Sequence, residues 1–269
     1  AAVKLNATPL TGGTNYTDTS SEAASANTYW VRPVIDGVEQ ADSGTFTLKA
    51  NNPREPIVRV PLGPAPGAGY YTAYVSVGDL DGDGEYDYVV DRIAPFTPGN
   101  NDFGTGHQYL EAYKRDGTRL WQIDMGPSST YTYNISPGAA TLSMGMYDGV
   151  TVYDLDGDGK AEVVLKVADG VKFGDGTTFT NADKEQQYIA VLDGARGIPL
   201  ATRQFPADFY AQAGRYGTQL GIGYPDGVNP SIYFWGRNRN KDKSFNDVFP
   251  WWRWTGGSSI TQDWTPRLR

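Results

Sequence analysis

The chain carries an acidic nine-residue loop twice, and this repeat constrains the fold more than any other feature. The sequence DLDGDGEYD at residues 79–87 returns as DLDGDGKAE at residues 154–162, an offset of 75 residues. Each copy runs into a short apolar, β-branched stretch, at residues 88–90 and 163–165. A repeat of this kind predicts successive copies of one β-sheet unit rather than a single irregular domain.

Each repeat continues with two more predicted strands joined by an Asp-Gly turn, Asp116–Gly117 in the first copy and Asp193–Gly194 in the second. A third copy, near residues 221–235, keeps the strand and turn signals but has no acidic loop. Four-stranded repeated units are typical of β-propeller blades. Three blades do not close a ring, so we expect the functional protein to be longer than this chain.

The fold class predicted from these patterns is all-β, because helical periodicity is almost absent. Short strands joined by an Asp36–Gly37 hairpin signal predict a small β-sandwich before the repeats, with its last strand at residues 57–60. The Pro/Gly/Ala run that follows is typical of a linker. The predicted organisation is therefore a partial sandwich over 1–62, a linker over 63–69 and the first blades of a propeller over 70–269.

The two acidic loops have the composition of calcium sites. Alternate side chains of a tight loop direct their oxygens inward, the glycine at position 6 permits the sharp turn, and the main-chain carbonyl at position 7 adds a ligand. An EF-hand is excluded because position 12 is Val90 or Leu165 and the flanks are strands. Repetition favours a structural rather than a catalytic role for at least two ions. The predicted metal residues are Asp79, Asp81, Asp83, Glu85 and Asp87 in the first loop and Asp154, Asp156, Asp158, Lys160 and Glu162 in the second.

Charge and composition limit the partners of the chain. Its net charge of −8 argues against nucleic acid, and it has no apolar stretch long enough to span a membrane. Aromatic residues make up 13% of the chain, which suits a carbohydrate-binding surface. Three N-x-[ST] triplets, at Asn6, Asn15 and Asn134, favour a secreted glycoprotein. We expect a secreted monomer.

Candidate catalytic groups are few, since no Ser-His-Asp arrangement, phosphate loop or dinucleotide fingerprint is present. His107 is the one histidine, either a polar loop residue or an acid/base. Several charged residues lie at the same end of successive repeats, where they are either solvated loop charges or part of a functional site at the rim of the propeller. The candidates are His107, Arg215, Lys166 and Arg92 for catalysis, with Asp91, Trp251 and Trp252 for substrate binding.

Four longer stretches fit one known pattern in order: YWVRPV and GVEQ between residues 29 and 40, SVGDLDGDGEY at 76–86, LEAYKRDGTRLW at 110–121 and VYDLDGDGKAEV at 152–163. This set resembles the rhamnogalacturonan lyase group of polysaccharide lyases, over about residues 3–255. The resemblance implies a fibronectin type III-like sandwich, partial here, before a calcium-binding propeller of seven or eight blades.

The resemblance also implies β-elimination at a uronic acid, which yields an unsaturated uronate. An arginine or a metal must neutralise the C6 carboxylate, a base must remove the C5 proton, and an acid must protonate the departing oxygen. Arg215 and Arg92 are then the neutralising candidates, and His107 and Lys166 the acid/base candidates. Asp91 matches an acidic substrate-contacting position of the bacterial lyases.

Two departures from the bacterial pattern affect the expected substrate. Ala73–Tyr74 stands where those enzymes have an Asn-Asp pair, and the segment 134–147 is rebuilt. They favour a fungal-type relative that acts on chain ends or on rhamnosyl-glucuronate. The alternative is a non-catalytic, calcium-stabilised carbohydrate-binding propeller of the lectin or integrin type.

Overall fold

The computed structural model describes residues 2–13, 15–52, 57–95, 106–130, 140–144, 148–184, 186–205, 218–239 and 244–264. The chain divides into two compact units, 1–58 and 59–269. The Pro/Gly/Ala run predicted as a linker, 63–69, lies within the second unit. In the described part of the chain, no helix is long and apolar enough to cross a membrane.

The first unit contains two small antiparallel sheets. Strands β1 (Asn27–Tyr29) and β4 (Phe46–Leu48) pair in one, and β2 (Val34–Ile35) and β3 (Val38–Glu39) pair in the other. Asp36 and Gly37 join β2 to β3 with φ angles of 50° and 80°, the positive values that a two-residue type I′ hairpin requires. The hairpin prediction is confirmed. The strand predicted at residues 57–60 is wrong, because that segment has no strand partner.

The described residues of the second unit form three antiparallel sheets, each made from strands consecutive in the chain. The all-β prediction is confirmed. The first sheet has the order β5-β6-β7-β8, the second β9-β10-β11-β12, and the third β13-β14-β16-β17 with β15 also paired to β14. The strands are β5 (Tyr71–Gly78), β6 (Asp87–Ile93), β7 (Tyr109–Tyr113), β8 (Arg119–Asp124), β9 (Thr151–Tyr153), β10 (Glu162–Ala168), β11 (Gln187–Asp193), β12 (Ile198–Gln204), β13 (Thr218–Gly223), β14 (Ser231–Arg239), β15 (Phe245–Val248), β16 (Trp251–Arg253) and β17 (Thr261–Trp264), with a 3₁₀ turn at Pro127–Ser129.

Two hydrophobic cores lie on either side of the second sheet. In β10, Val163 and Leu165 pack with the first sheet, whereas Val164 between them packs with residues of the third. Since successive side chains of a strand point to opposite faces, one apolar strand supplies both cores. Full burial of each such side chain contributes roughly 1.5–3 kcal/mol. The middle sheet is therefore held from both faces.

Close approach of the first two sheets requires glycine at particular positions. A Cβ on Gly78 would lie 2.4 Å from Val152 Cγ1 of the second sheet, and one on Gly194 would lie 2.9 Å from Leu80 Cδ2 of the first acidic loop. Trp121 Nε1 donates to the Gly194 carbonyl at 2.6 Å, which bridges the first sheet to the turn after β11. These contacts fix the loops that precede β6 and β10 against each other.

Candidate functional site

The first acidic loop connects β5 to β6 and is ordered by its own aspartates. Asp79 Oδ1 accepts a hydrogen bond from Gly82 N at 2.7 Å, and its Oδ2 accepts one from Gly84 N at 2.8 Å. Gly82 and Gly84 have φ angles of 80° and 83°, which only glycine adopts readily. Asp87 Oδ2 accepts from Leu80 N at 3.0 Å. Carboxylate oxygens of Asp79, Asp81 and Asp87 lie within 4.8 Å of one another and can hold a metal ion.

The second loop, between β9 and β10, repeats this geometry. Asp154 accepts from Gly157 N at 2.7 Å and from Gly159 N at 2.9 Å, and Glu162 Oε2 accepts from Leu155 N at 2.8 Å. The corresponding metal-competent group is Asp154, Asp156 and Glu162. Asp83 and Asp158, the other predicted side-chain ligands, instead accept hydrogen bonds from Glu85 N at 2.9 Å and Lys160 N at 2.8 Å.

The electrostatics of both loops favour a bound cation. Burial, followed by the neighbouring aspartates, raises the pKa of Asp87 to about 6 and that of Glu162 to about 7. A cation removes this penalty because it stabilises the ionised form of every carboxylate in the group. The donors are all hard carboxylate oxygens, which fit a divalent ion such as Ca²⁺.

Asp91 forms the polar part of a cavity beside the first loop. Asp91 is 2% exposed, and neither of its carboxylate oxygens has a hydrogen-bond partner among the residues that the structure describes. The β5–β6 ladder is interrupted between Thr72 and Val75, so on the β5 side Asp91 faces the bulge, while on the other side it pairs with Leu110 of β7. Burial raises its pKa well above the ordinary range. The cavity has a volume of about 200 Å³ and is lined by Tyr74, Val75, Ser76, Val89, Asp91, Leu110 and Val150.

A buried acid without a hydrogen-bond partner in such a cavity favours one kind of ligand. Burying a carboxyl group without a partner is unfavourable, so a ligand that supplies a hydroxyl group gains a strong interaction there. Tyr74, at 44% exposure, adds an aromatic ring, and the walls are mostly aliphatic. The combination suits a sugar ring, which has hydroxyl edges and apolar C–H faces.

Arg92, the next residue, is held within the fold. Its Nε lies 3.0 Å from Glu111 Oε2, and its terminal nitrogens donate to the Gly63 carbonyl at 3.0 Å and to Thr72 Oγ1 at 3.2 Å. The residue is 6% exposed. In this arrangement the guanidinium joins β6 and β7 to the segment before β5 and does not face solvent.

Lys166 is also buried, at 2% exposure. Its Nζ lies 2.7 Å from Asp148 Oδ1, which also accepts from Thr218 Oγ1 at 2.7 Å, while Asp148 Oδ2 accepts from Ser143 N at 2.8 Å. Desolvation lowers the pKa of Lys166, and the Asp148 carboxylate opposes that shift. The structure therefore places Lys166 in a buried clamp with Ser143, Asp148 and Thr218 rather than at a surface that a polymer can reach.

His107 lies just before β7 and has an oriented imidazole. Its Nδ1 is 2.7 Å from Asp124 Oδ1, which also accepts from Gly126 N at 2.8 Å. The Tyr70 hydroxyl donates to the His107 carbonyl at 2.8 Å. The histidine side chain is 36% exposed, and Asp124 borders a groove of about 500 Å³ that also includes Tyr109 and Lys172. A carboxylate that holds one ring nitrogen leaves the other free for proton transfer.

The two tryptophans differ in their surroundings. Trp252 is 1% exposed and stacks on Phe234 at 5.0 Å between ring centroids, so it belongs to the core and presents no face to a sugar. This corrects its assignment to substrate binding. Trp251 is partly exposed and packs on Tyr233 at 5.1 Å. Arg215 lies outside the described residues.

Sequence reasoning missed several partners that define these sites. Asp124 and Asp148 lie in no motif, and Lys114 lies in the stretch 110–121 without being predicted as a site residue, because each meets its partner only through the fold. Tyr74 enters the sequence prediction only as a departure from the pattern of the bacterial lyases. Asp124 ends β8 and lies three residues beyond the stretch 110–121, so no signal in the sequence pointed to it.

A comparison with protein families decides where the chain belongs. The model described as "Rhamnogalacturonan lyase family 11, C-terminal domain" matches residues 63–264. The chain belongs to rhamnogalacturonan lyase family 11. The resemblance inferred from the sequence motifs is confirmed.

Two curated relatives of this family 11 chain come from Bacillus subtilis (strain 168). The chain is 38% identical to rhamnogalacturonan endolyase YesW over 257 residues, covering 85% of the chain and 38% of the relative. It is 33% identical to rhamnogalacturonan exolyase YesX over 258 residues, covering 85% of the chain and 39% of the relative. This family 11 chain thus spans about four-tenths of the length of the curated relatives it matches.

Solved structures of the family agree with the fold. The crystal structure of rhamnogalacturonan lyase YesW matches with a TM-score of 0.62 and 29% identity, covering 97% of this chain and 46% of that chain. A Bacillus licheniformis rhamnogalacturonan lyase matches with a TM-score of 0.61 and 29% identity, over the same shares. The all-β architecture of the chain is therefore that of family 11 lyases.

Proposed function

We propose that this chain is part of a polysaccharide lyase that cleaves rhamnogalacturonan by β-elimination and releases an unsaturated uronate. Its membership of family 11 supports this reaction class. The observation that carries the proposal is the Asp91 cavity, where a buried carboxyl group without a partner faces a space of about 200 Å³ beside the exposed ring of Tyr74.

The cavity is proposed as a subsite for one sugar unit of the polymer. A sugar hydroxyl hydrogen-bonds to Asp91, and the C–H face of the ring packs on Tyr74 and on aliphatic wall residues such as Val150. Satisfying a buried polar group that otherwise has no partner contributes about 1–3 kcal/mol, enough to position a sugar unit in the site. Binding here holds the polymer while proton transfer takes place elsewhere along it.

Proton transfer is assigned to His107. Asp124 holds Nδ1 and so favours the tautomer whose Nε2 lone pair accepts a proton, which is the role of the base at C5. Arg92 and Lys166 have structural rather than catalytic roles, since each forms a buried ion pair. Neutralisation of the uronate carboxylate is assigned to Arg215, as the resemblance implies.

The proposal includes a structural role for calcium in a β-propeller. Each acidic loop holds one Ca²⁺, with Asp79, Asp81 and Asp87 as ligands in the first and Asp154, Asp156 and Glu162 in the second. The three sheets are consecutive blades. In support, β5 lies beside β9, and β9 beside β13, so the first strands of successive sheets are neighbours, as around a propeller axis. The ions stabilise the loops between strands and take no part in the elimination.

The test is the ultraviolet absorbance of the conjugated uronate that a lyase produces. The intact protein is incubated with rhamnogalacturonan I and, separately, with gum arabic, a source of rhamnosyl-glucuronate. Absorbance that grows with the first polymer supports the proposal, and growth with the second alone moves the substrate to rhamnosyl-glucuronate. Measurable binding of both polymers without any absorbance would overturn the lyase proposal in favour of a carbohydrate-binding propeller.

A further inference from the structure

The first acidic loop already contains a cation, and it comes from the chain itself. Lys114 opens the turn between β7 and β8, where its main-chain N donates to the Thr118 carbonyl at 2.8 Å. Its Nζ lies 2.5 Å from Asp81 Oδ2 and 2.9 Å from Asp83 Oδ2. Asp81 is one of the three residues whose oxygens converge on the metal position. The ammonium therefore neutralises Asp81, one of the carboxylates that a divalent ion requires.

The second loop has no such group. The residue that opens the equivalent turn is Asp193, the last residue of β11, whose carbonyl accepts from Gly197 N at 2.8 Å. Among the residues that the structure describes, no lysine or arginine forms an ion pair with Asp154, Asp156 or Asp158. Lys160, within the second loop, lies against the first, since a Cβ on Gly82 would be 3.1 Å from its Cγ. The two loops thus have almost the same sequence but differ in charge: a lysine neutralises part of the first loop, and no described lysine or arginine pairs with the aspartates of the second.

We propose that Lys114 is an internal counter-ion that a divalent cation must displace from the first loop, so that the second loop binds calcium more tightly. This inference rests on the proposed role of the loops as calcium sites. Once a divalent ion binds Asp81, the ammonium at 2.5 Å from the same carboxylate faces a like charge, and its two ion pairs are lost or weakened. That loss appears as weaker calcium binding at the first loop only.

Because of Lys114, the two loops also differ in how strongly they depend on a metal ion to stay ordered. Without calcium, Lys114 keeps the first loop compensated, whereas the carboxylates of the second loop repel one another without relief. Chelation therefore loosens the second loop first. The first loop acquires calcium only at higher free concentrations of the ion.

The test is a calorimetric titration of the calcium-free intact protein with CaCl₂. Lys114→Met keeps the length of the side chain and removes its charge, and Lys160→Met is the matched control in the other loop, where the carbonyl ligand is unchanged. We expect Lys114→Met to raise the affinity of one class of sites by about tenfold, since two partly exposed ion pairs no longer compete. Lys160→Met changes affinity by less than about threefold. In an Asp79→Asn background the gain from Lys114→Met disappears, which assigns it to the first loop.

A melting experiment distinguishes this role from ordinary packing. With a chelator present, Lys114→Met lowers Tm, and with excess calcium it increases the rise in Tm that calcium produces. A lysine needed only for packing lowers Tm to the same extent in both conditions and leaves calcium affinity unchanged, which would overturn the inference. If neither the unmodified protein nor Lys114→Met binds calcium, the proposed metal role of the loops fails and this inference fails with it. Calcium binding that Lys114→Met leaves unchanged or weakens overturns this inference alone.

Discussion

At the scale of single residues, two buried ionisable side chains contrast in whether they have a partner. Lys166 is paired with Asp148, whereas Asp91 has no partner among the described residues. A paired buried charge contributes to specific packing, but an unpaired one lowers stability. The contrast supports a ligand-binding role for Asp91, since the fold gains nothing from it.

Asp91→Asn should separate stability from function. Because the amide removes an uncompensated buried carboxyl group, the free energy of unfolding should rise by about 1–3 kcal/mol at neutral pH, measured by urea denaturation. The same change should raise KM for rhamnogalacturonan by about tenfold, because the hydrogen bond between the buried carboxyl group and a sugar hydroxyl is lost or weakened. A variant that is less stable, with unchanged KM, would show instead that Asp91 has a structural role.

Lys166→Met should be strongly destabilising. It leaves the Asp148 carboxylate buried without its counter-charge, at an expected loss of about 3–5 kcal/mol in the free energy of unfolding. Adding Asp148→Asn to the same chain should recover part of this loss, because both charges are then removed. A loss below about 1 kcal/mol for the single variant would contradict a buried clamp.

The sequence predicts individual residues well where the signal is local. The aspartates of the two loops follow a fixed spacing over nine residues, and the structure brings their oxygens together. The role of Lys166 could not be predicted, since its partner Asp148 belongs to a different segment. The same limit applies to the pair Trp251 and Trp252, because alternate sides of β16 decide which indole is buried.

At the scale of elements, turns decide how closely the sheets pack. The sequence predicts hairpin turns at Asp193–Gly194 and Asp116–Gly117. In the structure Asp193 ends β11 and Gly194 begins the turn to β12, and Asp116–Gly117 lies between β7 and β8. The further function of Gly194, its close approach to Leu80 of the first acidic loop, depends on a neighbouring sheet and had no signal in the sequence. Local turn chemistry was predictable, and packing between sheets was not.

Gly194→Ala should therefore cost far more than an ordinary glycine substitution. The added methyl group would lie 1.9 Å from the Ala161 carbonyl oxygen, so the turn or the second loop must shift. We expect a loss of about 3 kcal/mol in the free energy of unfolding. Gly221→Ala is the matched control in β13, since nothing lies within 4 Å of its added Cβ, and it should change stability by less than about 1 kcal/mol. Equal effects of the two substitutions would contradict the packing described.

The loops should make stability depend on pH in a calcium-sensitive way. Folding raises the pKa of Asp87 from 3.8 to about 6 and that of Glu162 from 4.5 to about 7, so the folded state binds more protons between these values. Stability of the calcium-free protein therefore falls as pH rises through this range. Calcium replaces those protons, so the rise in Tm that it causes should grow by several degrees between about pH 4.5 and 7. A calcium-induced rise in Tm that is independent of pH would contradict this linkage.

At the scale of the whole molecule, β10 and β11 lie between two cores. Ala190 and Leu192 of β11 contribute to one core, and Ile189 and Val191 to the other. The sequence predicted this class of architecture because the acidic loop and its strands recur after 75 residues. The identity of the inter-sheet contacts and the position of the Asp91 cavity depend on β5 and its bulge, which no periodic pattern reports.

The most direct test of the account is to locate calcium in crystals of the intact protein soaked in excess CaCl₂, by anomalous diffraction at long X-ray wavelength. The account predicts one anomalous peak in each loop, about 2.3–2.6 Å from the carboxylate oxygens of its three converging acids. The expected ligands are Asp79, Asp81 and Asp87 for the first peak and Asp154, Asp156 and Glu162 for the second. Well-ordered loops without anomalous density in either one would contradict the account.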